Sequence, residues 1–298
     1  MLFPHPKPLP RKEGGASRRS FSFPLFLGGR ENSYGILVLL LTLLAGLVNA
    51  THVSSRPTIS SPDAESPLYA VLGPEAPSIL RVLIDDSHIL VIQPGTLNIV
   101  LKEHLITAYI LPQDWADDGD LKAAQAAHVQ IVYVQRHVSV KAIEANISVL
   151  AALGGTQPAG ERWIRMIDEG LTRIQLSVQN DRVSRVLVLT PEGYTQGQGT
   201  LITDLLRYAG GINVAAEASI PEARQLDDSQ IRQFAPDVVL LIGWIPQAAI
   251  TLALNPLYRG IPPFDRDRVY RIAPPGKDPL HLVEDTEKMA TLIHPLVF

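Results

Sequence analysis

Two residues of types that ligate haem iron sit just beyond apolar runs. His137 follows 129-VQIVYVQ-135, and Tyr194 follows 185-RVLVLT-190 by a short loop. Imidazole and phenolate both serve as axial haem ligands. A lone histidine after a strand reads equally well as a surface residue. Arg136, beside His137, carries a planar fork that pairs with carboxylates of a chelate or tetrapyrrole, or it is simply solvated. Trp115 and Trp244 fall at corresponding strand-end positions. Aromatics there stack on planar or macrocyclic ligands, while Gln and Arg fix polar edges. The accompanying polar set is Gln93, Gln135, Thr195, Gln196 and Gln198. The bland alternative for each tryptophan is packing at a domain edge.

Other chemistries lack their residues. The 8 histidines are scattered, with no close pair or His-rich loop, so no bare-metal site is expected. There is no cysteine, hence no disulfide, thiolate ligand or cysteine nucleophile. No G-x-S-x-G elbow occurs, and Asp117-Asp118 reads as a solvated turn. No catalytic set and no resident cofactor are expected. The glycine loop 194-YTQGQGT-200 lacks the lysine of a Walker motif and the three spaced glycines of a dinucleotide fingerprint. It is expected to offer side chains and backbone N–H groups to a polar or anionic ligand edge, and not to bind ATP or NAD. Thr200 is the expected N-cap of a helix over 201–209, and Gly210-Gly211 its stop.

These residues need a scaffold. The chain has 298 residues and a net charge of −4, which suits one large or two medium domains and argues against nucleic acid. The uncharged run 36-ILVLLLTLLAGLV-48 follows Arg18, Arg19 and Arg30 and leads into 48-VNA-50. That pattern predicts a signal peptide over residues 1–50, cleaved to leave Thr51 at the N-terminus. The run is short for a full span, and an uncleaved anchor is the alternative. Residues 1–30 are also compatible with an over-extended gene start. Residues 51–66 read as a flexible tether. The expected location is periplasmic or otherwise extracytoplasmic.

Beyond Leu68, apolar runs alternate with helical patterns. Strands are expected in 68–73, 88–93, 106–112, 129–135, 185–190, 237–243 and 269–273. Near-continuous Val/Ile/Leu runs suit strands buried on both faces, and helices between them suit parallel βαβ units. Helical periodicity over 139–155, capped by Ser139 and ended by Gly154-Gly155, is followed by a second helical stretch over 159–180. The fold class is therefore α/β: two Rossmann-like lobes with parallel sheets, joined by a long linking helix, with a cleft between them. The expected divisions are an N-terminal lobe over 67–138, linking helices over 139–180 and a C-terminal lobe over 181–298.

The second lobe carries a run of weak motifs in order: 186-VLVLT-190, then 197-GQGTLITDLLRYAGGINVA-215, 236-PDVVLLIG-243, 267-DRVYRI-272 and 292-LIHPLVF-298. In order and spacing it resembles the substrate-binding proteins of ABC importers for ferric siderophores, haem and cobalamin. The resemblance covers roughly 68–298 and is weakest in the first lobe. It implies an exported, monomeric carrier that captures an iron chelate, haem or corrinoid between its lobes and delivers it to an ABC permease in the inner membrane. An exported sensor or enzyme using the same cleft is the alternative. The family's docking glutamates map to Ser229 and near Asn98, both uncharged. Asp227 and Asp228 are the expected substitutes.

Overall fold

The computed structural model describes residues 66–298 apart from Pro191, residues 244–259 and Lys277. The expected signal segment, nearly all of the tether and Trp244 lie outside the described residues.

The first lobe alternates β1 (Tyr69–Val71), α1 (Glu75–Leu83), β2 (Ile89–Val91), α2 (Leu97–Glu103), β3 (Ala108–Pro112), α3 (Asp118–Ala126) and β4 (Gln130–Val134). All four strands are parallel, in the order β2-β1-β3-β4. β3 is buried at every position, as its unbroken apolar sequence requires of a central strand covered on both faces. Asp120 welds this lobe together. It is 1% exposed, and its carboxylate accepts the N–H of Gly95 at 2.7 Å and of Leu97 at 3.0 Å, with the Tyr109 hydroxyl at 3.4 Å. Burial and that carboxylate push the Tyr109 phenol well above its ordinary pKa.

Two helices follow, α4 (Val140–Leu153) and α5 (Gln157–Val178). Ser139 caps α4 by accepting the N–H of Ala142 at 3.1 Å, as expected. The link between the lobes, a helical spine, consists of these two helices, matching the two helical stretches expected over 139–155 and 159–180. At Gly154-Gly155 the chain closes a Schellman turn, with Thr156 N–H donating to Ala151 C=O at 2.8 Å and Gly155 N–H to Ala152 C=O at 3.3 Å. Gly155 has φ +66°, a left-handed conformation that favours glycine. The turn folds α5 back along α4, and α5 also packs on helices of the second lobe.

The second lobe contains β5 (Ser184–Leu189), β6 (Tyr194–Thr195), α6 (Leu201–Tyr208), β7 (Gly211–Asn213), α7 (Val214–Glu217), β8 (Arg224–Gln225), α8 (Asp228–Phe234), β9 (Val238–Ile242), α9 (Pro262–Asp265), β10 (Val269–Ile272) and α10 (Leu282–Ile293). Its sheet runs β10-β9-β5-β6-β8, with β7 also on β5. β5, β7, β9 and β10 are parallel. The sheet is thus parallel through its main strands, as expected, with the short β6 antiparallel to both β5 and β8. All seven expected strands form, and β6, β7 and β8 are additional.

One apolar core links both sheets through the spine. It includes Ile110 and Val134 of the first lobe, Ile147, Leu171 and Ile174 of the spine, and Val188 and Leu240 of the second lobe. Each fully buried aliphatic contributes about 1.5–3 kcal/mol. The second lobe is also tied to the spine by a hydrogen bond: Asp204 of α6, paired with Arg207 at 2.6 Å, accepts the N–H of Val140 at 2.9 Å. His294 anchors the C-terminus, contacting Asp181 at 2.6 Å and the Gly210 carbonyl at 3.2 Å.

Candidate functional site between the lobes

Strand ends of the two lobes enclose a hollow of about 300 Å³. Arg136, His137 and Val138 enter it from the first lobe, and Gln196, Leu201 and Glu222 are among those from the second. The first-lobe loop is held rigidly. Buried Asn146 of α4 accepts the Gln135 N–H at 2.8 Å and donates to the Gln135 carbonyl at 2.7 Å. This side-chain mimic of a strand partner aims the next two residues across the cleft.

Arg136 reaches Glu222 of the other lobe at 3.4 Å and Asp114 of its own lobe at 3.9 Å. All three side chains are about half exposed, and these contacts are longer than a tight charge-assisted pair at about 2.7–2.9 Å. Behind them lies Glu75, the first residue of α1, 9% exposed. Its Oε2 is buried without a hydrogen-bond partner. Burial raises its pKa first; the Asp114 charge adds to this, and the Arg136 charge opposes it.

His137 is half-buried. Burial holds its pKa below the ordinary histidine value, opposed by a hydrogen bond to the Gly276 backbone of the second lobe. The imidazole is thus neutral near pH 7, and its Nε2 is buried without a partner. A neutral nitrogen with a free lone pair can accept a hydrogen bond or ligate a metal. Among the described residues, no group of three or more His, Cys, Asp or Glu could hold a metal ion.

The other expected site residues distribute as follows. Gln196 lines the hollow. Tyr194 is 43% exposed on β6, while Thr195 is fully buried with an unpartnered hydroxyl. Gln93 is exposed just past β2, and Gln198 is exposed on the glycine loop. Trp115 is 44% exposed in the turn after β3, next to Asp114. The structure thus gathers Arg136, His137 and Gln196 around the hollow, and leaves Gln93, Trp115, Tyr194, Thr195 and Gln198 outside its lining.

The glycine loop differs from expectation in two respects. Thr200 occupies the N-cap position of α6 but makes no side-chain cap. Its hydroxyl instead donates to the Gly197 carbonyl at 2.8 Å, as does that of Thr203 at 2.6 Å. The Gln198 N–H is also engaged, donating to the Ile220 carbonyl at 2.7 Å. A Cβ at Gly197 would collide with that same carbonyl, so Gly197 permits a close backbone approach. Gly199, at φ +74°, supplies a left-handed turn and has open space around it. The loop's backbone is largely occupied in holding itself together, and Gln196, Gly199 and Thr200 are what it presents to the hollow.

Sequence reasoning missed Glu75, Asp114 and Glu222. Glu75 follows 71-VLGP-74 at the end of the first strand, so the strand-end rule applied to the other strands reaches it. Asp114 directly precedes Trp115. Glu222 has no such signal, because its position depends on the packing of β6 and β8.

Two α/β lobes on a helical spine, with a hollow lined from both, define a solute-binding protein. A family model described as periplasmic binding protein matches residues 107–275, and the chain belongs to that family. Among curated proteins no match is found. Solved structures share the fold. The haem-binding protein RhuT from Roseiflexus sp. RS-1, in apo form, is 18% identical with TM-score 0.63, over 78% of this chain and 100% of that one. BhuT in complex with two haems is 16% identical with TM-score 0.64, covering 77% and 98%. A possible iron-binding, periplasmic solute-binding protein from Staphylococcus epidermidis ATCC 12228 is 15% identical with TM-score 0.65, covering 76% and 98%. No helix among the described residues is long and apolar enough to cross a membrane.

Proposed function

We propose that the protein captures an iron chelate, haem or corrinoid between its lobes, without altering it, and delivers it as a monomer to an ABC permease of the inner membrane. The observation that carries this reading is the inter-lobe hollow, with Arg136 and His137 on one side and Gln196 and Glu222 on the other. Its volume of about 300 Å³ is at the low end for ligand pockets. A chelate therefore enters as the Arg136–Glu222 contact parts. The likeness to the haem-binding proteins RhuT and BhuT and to the possible iron-binding protein of Staphylococcus epidermidis supports the ligand class.

Tryptophan fluorescence titrated with a ferric siderophore, haem and a corrinoid tests this. One ligand quenches and is recovered chemically intact. Trp115→Ala weakens that ligand by about 1–3 kcal/mol, as loss of an aromatic anchor does. Unchanged affinity removes Trp115 from the site, and a chemically changed ligand contradicts the carrier role. Trp244 is proposed as its counterpart on the second lobe.

The docking surface is proposed at the start of α8. Asp227 is the N-cap there, accepting from Gln230 N–H at 2.9 Å and the Ser229 hydroxyl at 2.5 Å. Its carboxylate is committed to the capping box, which leaves Asp228 the stronger candidate. Exposed ion pairs contribute only about 0–1 kcal/mol each, but they orient encounters. Asp228→Asn should slow uptake into vesicles holding the permease while ligand affinity is retained. Full uptake sinks this assignment.

A further inference from the structure

The charges gathered around Arg136 are unbalanced. Arg136 is the only described basic residue among those lining the hollow, and it is shared between Asp114 and Glu222 at long distances. Glu75 adds a third carboxyl group, nine-tenths buried, with an oxygen that no protein group satisfies. His137, half-buried and neutral, contributes no compensating charge. A buried carboxyl oxygen without a partner is costly unless something satisfies it. Arg136 supplies one positive charge against two exposed carboxylates and a third held close behind.

An anionic ligand drawn to Arg136 would take the guanidinium away from Asp114 and Glu222. Those carboxylates and Glu75 would then face one another without a counter-charge. A cationic group has the opposite effect. It replaces Arg136 at Glu222, completes the charge balance and favours the ionised form of Glu75. A bare metal ion does not fit, since no three ligating groups converge among the described residues. A protonated amine or guanidinium needs only hydrogen-bond acceptors, which the half-exposed carboxylates of Glu222 and Asp114 offer.

We infer that the cleft selects a chelate bearing a protonated amine or guanidinium, received by Glu222 and Asp114 as Arg136 swings aside, with Glu75 held close behind them. This rests on the carrier reading above and narrows its ligand class by charge. Arg136 acts as a tethered stand-in for the ligand's cation and closes the empty cleft.

The test uses the ferric complex of a linear trihydroxamate with a terminal ammonium, its N-acetylated neutral form, and haem with its two carboxylates. Affinities are measured for wild type, Glu222→Gln and Arg136→Gln, with circular dichroism checking each fold. In the wild type the ammonium form binds at least about tenfold tighter than the acetylated form, the scale of one well-placed charge interaction. Glu222→Gln, half-exposed and harmless to the core, shrinks that ratio. Arg136→Gln removes the internal competitor and enlarges it. Equal affinity for the two trihydroxamates overturns the inference. So does tighter binding of haem than of either, which leaves the chelate-carrier reading standing. Failure of all three probes to bind overturns the inference, and the corrinoid arm of the fluorescence titration then decides the carrier reading.

Discussion

Gly197→Val is expected to lower the stability of the protein by about 3 kcal/mol or more. Overpacking ordinarily costs about 1–3 kcal/mol, because side chains rearrange around the added atoms. Here the added atoms meet the Ile220 backbone carbonyl, which no rotamer change removes. The same shift breaks the 2.7 Å hydrogen bond from Gln198 N–H to that carbonyl, adding roughly 1 kcal/mol. Gly199 provides the contrast two residues away. Gly199→Ala has room, with its nearest neighbour at 3.9 Å, and meets only the cost of φ +74°, about 1–2 kcal/mol. Urea denaturation of both variants gives the comparison. A smaller loss for Gly197→Val than for Gly199→Ala would show that the loop does not pack as described.

The second large effect is expected in the other lobe. Asp120→Ala strips two N–H groups at the start of α2, those of Gly95 and Leu97, of their acceptor, and leaves the Tyr109 hydroxyl without its contact. Each buried group left unsatisfied costs about 1–3 kcal/mol, so a loss of about 3 kcal/mol is the central expectation. Asp120→Asn keeps one acceptor oxygen and should lose less. Hydrogen exchange at Gly95 and Leu97 localises the damage: both amides should lose protection in Asp120→Ala. Retained protection would mean that another group holds the start of α2.

The scaffold was legible where the residue pattern is long. Unbroken apolar runs such as 237-DVVLLIG-243 mark central strands because both faces are covered. Ser139 and Gly154-Gly155 mark the ends of α4 because capping chemistry is local. β6 and β8 are two residues each, too short for any period to register, and their antiparallel pairing depends on a turn that only the folded chain defines. Thr200 shows the limit of a cap rule: its hydroxyl had a competing acceptor in the Gly197 carbonyl.

The site was legible in part. Arg136, His137 and Gln196 are placed by following strands to their C-terminal ends. Glu75 was missed because a glutamate reads as solvent-facing, whereas this one is buried behind Arg136. The family match begins at residue 107, after β1 and α1, in the lobe where the sequence resemblance is weakest. The carboxyl groups around Arg136 therefore come together only in the fold, Glu75 and Asp114 from the first lobe and Glu222 from the second, with no motif to announce them.

Capture of a small metal chelate or tetrapyrrole by the cleft is the central claim. Native mass spectrometry of the protein purified from its own cells tests it most directly. One monomer should carry one non-covalent ligand whose mass and isotope pattern identify an iron chelate, haem or corrinoid, lost intact on mild activation. A monomer that carries none from cells grown under iron and cobalamin limitation, and takes up none when these are supplied in vitro, would contradict the account.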